Sequence, residues 1–473
     1  MSDQHIDRVH FIGIGGVGMS GIALVAKAQG MQVSGSDLRA SRYTEQLLAS
    51  GISVGIGHDT SNIPSDPAPD VVVVSTAILD NNPELIAARE AGIPIWHRAQ
   101  MLARLGLNKK TLACAGTHGK TTTSSMLAST LDGMGVDPTF LIGGIVRAYG
   151  TNAHSGSDAA GSYYVVEADE SDKSFTYLNP YAVIVTNIEA DHLDHYEGGI
   201  AEIEQKFAEF MALVDDEGLI VVCGEDDRLV ELAKSSGKRL ISYGEGDACD
   251  VRVLSWQPKG VGSTYTLALP DGSQIEGSIL QNPGRHNVLN AAAALSLLWG
   301  LGEDVQAAAK VLSQFAGVRR RFDLVGEAQG VTIIDDYAHH PTEVAATIEA
   351  AKKLDFNQVH VLFQPHRYSR VGLFTEVLRN EFAHAFDAAD TVTFMDVYSA
   401  GETPVPGISG QTFMDVVEST MTHPPLNYVA HRLDVVPYLA EIAGEGDLVI
   451  TMGAGDVTSI GPELLAYLQG QTQ

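Results

Sequence analysis

Gly116-Thr117-His118-Gly119-Lys120-Thr121 is the stretch that decides how this chain folds. The apolar residues 111–115 before it read as a strand, and 120–135 after it as a helix. A glycine loop between a strand and a helix makes a phosphate cradle. Its backbone N–H groups surround the phosphates, Lys120 reaches the β and γ oxygens, and the Thr121 hydroxyl holds Mg²⁺. The loop is a variant, because the first glycine of GxxxxGK[ST] would fall at Cys114. With further strands expected at 163–168, 181–188 and 218–223, the middle of the chain reads as a parallel α/β unit.

Toward the N-terminus, 9–14 reads as a strand, 17–30 as a helix and 31–36 as a strand. DVVVVST (70–76) reads as a buried parallel strand by its β-branched run. Gly13-Ile14-Gly15-Gly16-Val17-Gly18 fits GxGxxG between the first strand and helix, and Asp37 closes the next strand, where an acid can hold a ribose. The pattern suits NAD and any other nucleoside diphosphate equally. Polar Asn108-Lys109-Lys110 ends this unit, which gives a first domain of 1–108.

Toward the C-terminus, 250–280 alternate with period two around turns at Pro258-Lys259-Gly260 and Pro270-Asp271-Gly272, the pattern of an antiparallel insert. Residues 285–301 read as a helix. A third α/β unit follows, with strands expected at 331–335, 359–363, 391–395 and 447–451. The fold class is three α/β domains: 1–108, a central P-loop domain 109–317 with the antiparallel insert, and 318–473.

Bulk properties agree. A chain of 473 residues is too long for one ordinary core, and 45% of it is hydrophobic. Lys plus Arg number 30 against 59 Asp plus Glu, a formal charge of -29, which repels phosphate backbones and anionic membranes. Nucleic acid and membrane are therefore not expected partners. No apolar run approaches the roughly 18 residues needed to span a bilayer, and Met1 to His10 shows no positive patch followed by an apolar stretch of signal-peptide length. The three cysteines show no metal spacing and suit reduced thiols in the cytoplasm.

Other motifs sit at expected strand ends, where open α/β sheets bind ligands. Glu167-Ala168-Asp169-Glu170-Ser171-Asp172 would supply a hard oxygen for Mg²⁺ beside the phosphate loop. Asp191-His192-Leu193-Asp194-His195 offers imidazole and carboxylate, without a third and fourth ligand at zinc spacing. Arg319-Arg320-Arg321 stands at a domain boundary and can close over phosphates. Asp335-Asp336-Tyr337-Ala338-His339-His340, His366-Arg367-Tyr368-Ser369-Arg370 and Gly453-Ala454-Gly455-Asp456 converge on one rim of the third domain.

GTHGKTT (116–122), EADESD (167–172), NIEADHLDHY (187–196), GRHNVLNA (284–291), RRFD (320–323), DDYAHHPTE (335–343) and FQPHRYSR (363–370) together resemble the Mur ligase family over nearly the whole chain. The resemblance implies an ATP-dependent carboxylate–amine ligase with a Rossmann-like domain at each end of the ATPase domain. The opening HFIGIGGVGMSG (10–21) is most similar to members that add L-alanine to UDP-N-acetylmuramate; members that reattach a murein tripeptide usually depart from it. Gly13, Gly15, Gly16, Gly18, Ser36, Asp37, Ser75 and Arg98 would then bind the UDP-sugar. Gly116, Thr117, His118, Gly119, Lys120, Thr121, Thr122, Asn287, Asn290, Arg321 and Asp336 would bind ATP. Two Mg²⁺ ions are implied, one on Thr121 and Glu167 and one on His192. Lys120, Glu167, His192 and Arg321 carry the chemistry in this reading, and His339, His340, Arg367 and Arg370 face the amino acid. An NAD-dependent dehydrogenase would leave the second glycine loop unexplained, and a folylpolyglutamate synthase would lack the first.

Overall fold

The computed structural model describes residues 5–191, 195–420 and 422–470. Its strands form three sheets. The first contains β1 (Arg8–Ile12), β2 (Gln32–Asp37), β3 (Ser53–Ile56), β4 (Val71–Val74) and β5 (Ile95–His97), in the order β3-β2-β1-β4-β5, all parallel. The strand order reverses between β1 and β4, which opens a ligand crevice beyond their carboxyl ends. The helix Val17–Ala28 follows β1 across this edge.

The second sheet contains β6 (Lys110–Ala115), β7 (Thr139–Val146), β8 (Thr151–His154), β9 (Tyr163–Glu167), β10 (Ala182–Val185), β11 (Leu219–Cys223), β12 (Leu240–Gly244), β13 (Val251–Lys259), β14 (Gly262–Ala268) and β15 (Gln274–Ile279). Its order is β15-β14-β13-β12-β11-β10-β6-β9-β7-β8. β6 lies between β10 and β9, parallel to both, so the ends of three strands meet at the phosphate loop. The expected insert is present as β13 to β15. Its connections are too short to join anything but antiparallel neighbours, and it extends this sheet's edge.

The third sheet contains β16 (Asp323–Ala328), β17 (Val331–Asp336), β18 (Val359–Phe363), β19 (Thr391–Phe394), β20 (Leu426–Tyr428) and β21 (Leu448–Met452), in the order β16-β17-β21-β18-β19-β20. It is parallel except for β16, which pairs antiparallel with β17. Both faces are covered. Val359, Val361 and Phe363 enter one core cluster, while Leu362 between them enters the other.

By packing, the chain forms two compact units. One comprises Met1–Leu254, Thr266–Glu276 and Leu289–Phe315; the other comprises Ser255–Tyr265, Gly277–Val288 and Ala316–Gln473. The first two sheets share a continuous core in the first unit, with Val9, Met19 and Met101 in the same cluster as Ala113, Leu141 and Val166. Among the described residues, no helix is long and apolar enough to cross a membrane.

Candidate active site

The phosphate loop leaves β6 with Gly116 at φ 130° and enters the helix Lys120–Gly133 through Gly119 at φ 85°. Both values favour glycine, and space enforces the choice. A Cβ on Gly116 would lie 2.1 Å from Thr186 Oγ1, and one on Gly119 2.7 Å from Asn290 Oδ1. The end of β10 ties the loop down. Thr117 N–H donates to Asn187 O (3.1 Å), His118 N–H to Asn187 Oδ1 (2.8 Å), and Glu189 N–H to Thr117 Oγ1 (2.8 Å). No side chain caps the helix N-terminus, which leaves its dipole directed at the loop. Thr122 is buried behind it.

Lys120 Nζ donates to Gly116 O (2.6 Å), Thr117 O (3.1 Å) and Glu170 Oε1 (2.8 Å). The Thr121 hydroxyl donates to Glu167 Oε1 (3.0 Å), and the backbone N–H of Gly143 on β7 holds Glu167 Oε2 (2.7 Å). The expected Mg²⁺ pair, a hydroxyl and a carboxylate, is therefore assembled side by side. His192 lies outside the described residues. Glu170 is buried, and burial outweighs the attraction of Lys120, which pushes its carboxyl up to about 7. Burial opposes ionisation of Asp169 too, but Arg98 and Lys120 hold its carboxyl well below the usual carboxylate range.

The glycine loop of the first sheet is equally specific. Gly13 (φ 79°) and Ile14 donate their N–H groups to Ser36 O at 2.8 and 2.9 Å. Gly15 N–H donates to Asp37 Oδ2 (2.9 Å), so Asp37 shapes the loop. Gly16 precedes the helix Val17–Ala28, again with no side-chain cap. Ser75 follows β4 across the crevice. Two expected sugar-binding side chains have other partners. The Ser36 hydroxyl is buried and donates to Glu84 Oε2 (2.7 Å). The Arg98 guanidinium donates to Asp169 Oδ2 (2.6 Å) and lies 3.4 Å from where a Gly18 Cβ would be, which places it between the helix Val17–Ala28 and the acidic segment after β9. Asn152 on β8 makes a second link: its Nδ2 donates to Val17 O (2.9 Å) and to Ile142 O (3.3 Å), one residue before Gly143.

In the second unit, Asp336 accepts the N–H groups of Phe322 (2.7 Å) and Ala338 (2.8 Å) at the end of β17, and burial raises its carboxyl to about 6 against the pull of Arg321. Arg321 lies 3.5 Å from Glu343 and over the Tyr337 ring. His339 Nδ1 is 3.1 Å from Tyr337 O, and buried His340 precedes the helix Pro341–Lys352. Asn287 Nδ2 donates to Pro283 O (3.0 Å). Arg367, just past β18, is exposed, and Arg370 lies one helical turn on. Within each unit the expected residues gather at strand carboxyl ends. Thr186, Gly143 and Asn152 carry no expected role, and Glu170 is expected only as part of the acidic stretch 167–172. Thr186 directly follows β10, a position the strand-end rule marks, whereas Gly143 and Asn152 lie on a hairpin that no motif announces.

The Mur ligase family catalytic domain matches residues 8–110, the Mur ligase middle domain 114–298, and the Mur ligase glutamate ligase domain 320–455. The chain is 43% identical to a UDP-N-acetylmuramate–L-alanine ligase of Carboxydothermus hydrogenoformans, over 97% of this chain and 96% of that one. The chain belongs to the Mur ligase family. A ligase of the same name from Rubrobacter xylanophilus is 44% identical to this Mur ligase, over 98% of this chain and all of that one. Among solved structures, the UDP-N-acetylmuramate–alanine ligase of Thermotoga maritima superposes with a TM-score of 0.81 at 28% identity, covering 99% of this chain and 100% of that one. A murein peptide ligase of Psychrobacter arcticus shares the fold of this Mur ligase, with a TM-score of 0.70 at 24% identity, covering 98% and 99%.

Proposed function

We propose that this Mur ligase joins L-alanine to the carboxylate of UDP-N-acetylmuramate, converting ATP to ADP and phosphate, as a step of peptidoglycan precursor synthesis in the cytoplasm. One observation carries the reading: a variant phosphate loop, with Lys120 and the Thr121–Glu167 pair beside it, stands in a chain 43–44% identical along nearly its whole length to ligases of that name. The working domains are 1–108 for the UDP-sugar, 109–317 for ATP and 318–473 for the amino acid.

A carboxylate resists attack by an amine because its oxide is a poor leaving group. Transfer of the γ-phosphoryl of ATP to a carboxylate oxygen gives an acyl phosphate. The neutral amine of L-alanine attacks the carbonyl carbon, and phosphate leaves with the C–O electron pair as the amine loses its proton. Phosphoryl transfer needs positioning and charge neutralisation more than covalent help. Lys120 would exchange its bonds to Gly116 and Thr117 for the transferring phosphoryl oxygens. A hydroxyl and a carboxylate 3.0 Å apart are hard donors that suit Mg²⁺, so Thr121 and Glu167 fit one ion, with His192 assigned to a second. Mg²⁺ would neutralise phosphate charge there. Asn290, beside Gly119, and Asn287 and Asp336 are assigned to the nucleoside, and Arg321 to the phosphates. Gly13, Gly15, Gly16 and Gly18 present backbone to the UDP pyrophosphate at a helix N-terminus, with Ser36, Asp37, Ser75 and Arg98 around it.

Arg367 is assigned to the carboxylate of L-alanine. The amine must stay free to attack, so recognition falls mainly on the carboxylate, which a guanidinium meets with two parallel bonds. Arg370, His339 and His340 complete that side. The test is phosphate release from ATP with UDP-N-acetylmuramate, with and without L-alanine. Release should require both. Full-rate hydrolysis with neither sinks the ligase reading, and turnover with a murein tripeptide in place of L-alanine moves the chain to the recycling branch.

A further inference from the structure

Arg367 adopts φ 64°, the left-handed region that crowds a Cβ against the following carbonyl. Such a residue stays there only if its surroundings hold it. The holder is the segment after β19, the strand next to β18. Residues His366 and Tyr398 form a parallel bridge, in which Tyr398 N–H donates to Pro365 O (2.9 Å) and Arg367 N–H donates to Tyr398 O (2.8 Å). The His366 and Tyr398 rings stack at 5.7 Å and 14°. A tight turn through Ala400 (φ 49°) and Gly401 (φ 89°) then brings Glu402 back to the start of the helix Tyr368–Glu376. There one Glu402 oxygen accepts Ser369 N–H (3.0 Å) and the other accepts the Ser369 hydroxyl (2.6 Å).

A carboxylate at a helix N-terminus is favoured by the exposed N–H groups of the first turn. Glu402 is also close enough to Arg367 for their charges to attract. Yet its hydrogen bonds go to Ser369, and among the described residues the Arg367 guanidinium has no ion-pair partner. Glu402 thus anchors the loop through Ser369 without a hydrogen bond to the fork that a ligand carboxylate would take.

We propose that Glu402 is a positioning residue of the amino-acid site: it fixes the turn that presents Arg367 to the carboxylate of the incoming amino acid. The proposal rests on the assignment of Arg367 made above. Bonds to a charged acceptor are the stronger kind, and losing two from one anchor should displace the guanidinium. The experiment is steady-state kinetics on the full chain, with KM measured separately for L-alanine, ATP and UDP-N-acetylmuramate. The variants are Glu402→Ala, Glu402→Gln, Arg367→Lys and the double variant Arg367→Lys with Glu402→Ala. Glu402→Ala should raise KM for L-alanine about tenfold or more, with the other two KM values within about twofold. Glu402→Gln, which can still accept one bond, should fall between. The double variant should be no worse than Arg367→Lys alone, because both changes remove the same contact. Multiplicative effects in the double variant overturn the proposal, as does a shift of all three KM values together or of none while Arg367→Lys raises KM for L-alanine. If Arg367→Lys leaves KM for L-alanine unmoved, the assignment of Arg367 is what fails, and the proposal falls with it. Should Glu402→Ala not fold, Glu402→Gln and Ser369→Ala, which removes one of the two bonds, carry the same comparison.

Discussion

Glu84 gives the sharpest test of how the first glycine loop is held. It sits on the helix Pro83–Glu90 with its side chain fully buried. Its two oxygens meet His10 Nε2 (3.1 Å), Ser36 Oγ (2.7 Å), His58 Nδ1 (3.2 Å), Asp59 N (3.2 Å) and Asn62 Nδ2 (3.0 Å). Burial alone would raise its pKa, but the bonds from His10, Asn62, Ser36 and His58 bring it from 4.5 down to about 2. At 1.36 kcal/mol per unit, ionised Glu84 stabilises the fold by about 3 kcal/mol. The folded value lies below the unfolded one, so this stabilisation is complete above pH 4.5 and lost as pH falls through about 2. Glu84→Gln keeps the shape, removes the charge and turns an amide N–H₂ toward donors. It should cost about 3 kcal/mol at pH 7, and the gap to the parent protein should narrow markedly by pH 3. Hydrogen exchange over residues 8–37 at both pH values reads the loss locally, which avoids assuming that a multidomain chain unfolds in one step. Because Ser36 O holds the N–H groups of Gly13 and Ile14, UDP-N-acetylmuramate affinity should fall as well. A loss under about 1 kcal/mol at pH 7, or one unchanged at pH 3, would refute the argument.

Three further outcomes are expected. Lys120→Ala should cut substrate-dependent phosphate release on the order of 10³-fold with the circular dichroism spectrum intact, since a preorganised cation on the transferring phosphoryl contributes several kcal/mol; near-normal turnover removes Lys120 from the chemistry. Gly116→Ala should abolish ATP binding by calorimetry, because the new methyl would collide with Thr186 Oγ1; parental affinity would show that the loop tolerates a side chain. Glu170 has its pKa raised to about 7, so its contribution to stability is complete below the unfolded value of 4.5 and lost as pH rises through about 7. Without nucleotide, the melting temperature should therefore fall more steeply from pH 6 to 8 in the parent than in Glu170→Gln, and equal slopes would contradict this.

The parts of the fold that were legible in the sequence are those whose residues face one environment throughout. β4, β6, β10 and β18 are buried parallel strands and read as continuous apolar runs. The hairpin β7–β8 did not declare itself, because TFLIGGIV carries a Gly-Gly pair and TNAH is polar, and β16 mixes acids with glycine. Glycine loops are local, and both were found. Contacts between distant segments were not. The side chains of Ser36 and Arg98 bond Glu84 and Asp169, 48 and 71 residues away, and no local motif announces either contact. Glu402 meets Ser369 across 33 residues, with no motif to announce it.

The β7–β8 hairpin also sets a length. Asn152 touches the first turn of the helix Val17–Ala28, and Gly143, next to the other carbonyl Asn152 binds, holds Glu167 beside the second glycine loop. The two glycine loops are thus mounted on one short spacer within a single packed unit. On the proposed reaction, an acid tethered to its pyrophosphate by a longer or shorter arm would arrive at the wrong depth, and a misplacement of about 1 Å can cost on the order of 10²-fold in rate. This Mur ligase would then choose its acid by reach, a selection made by the hairpin without touching the group it selects.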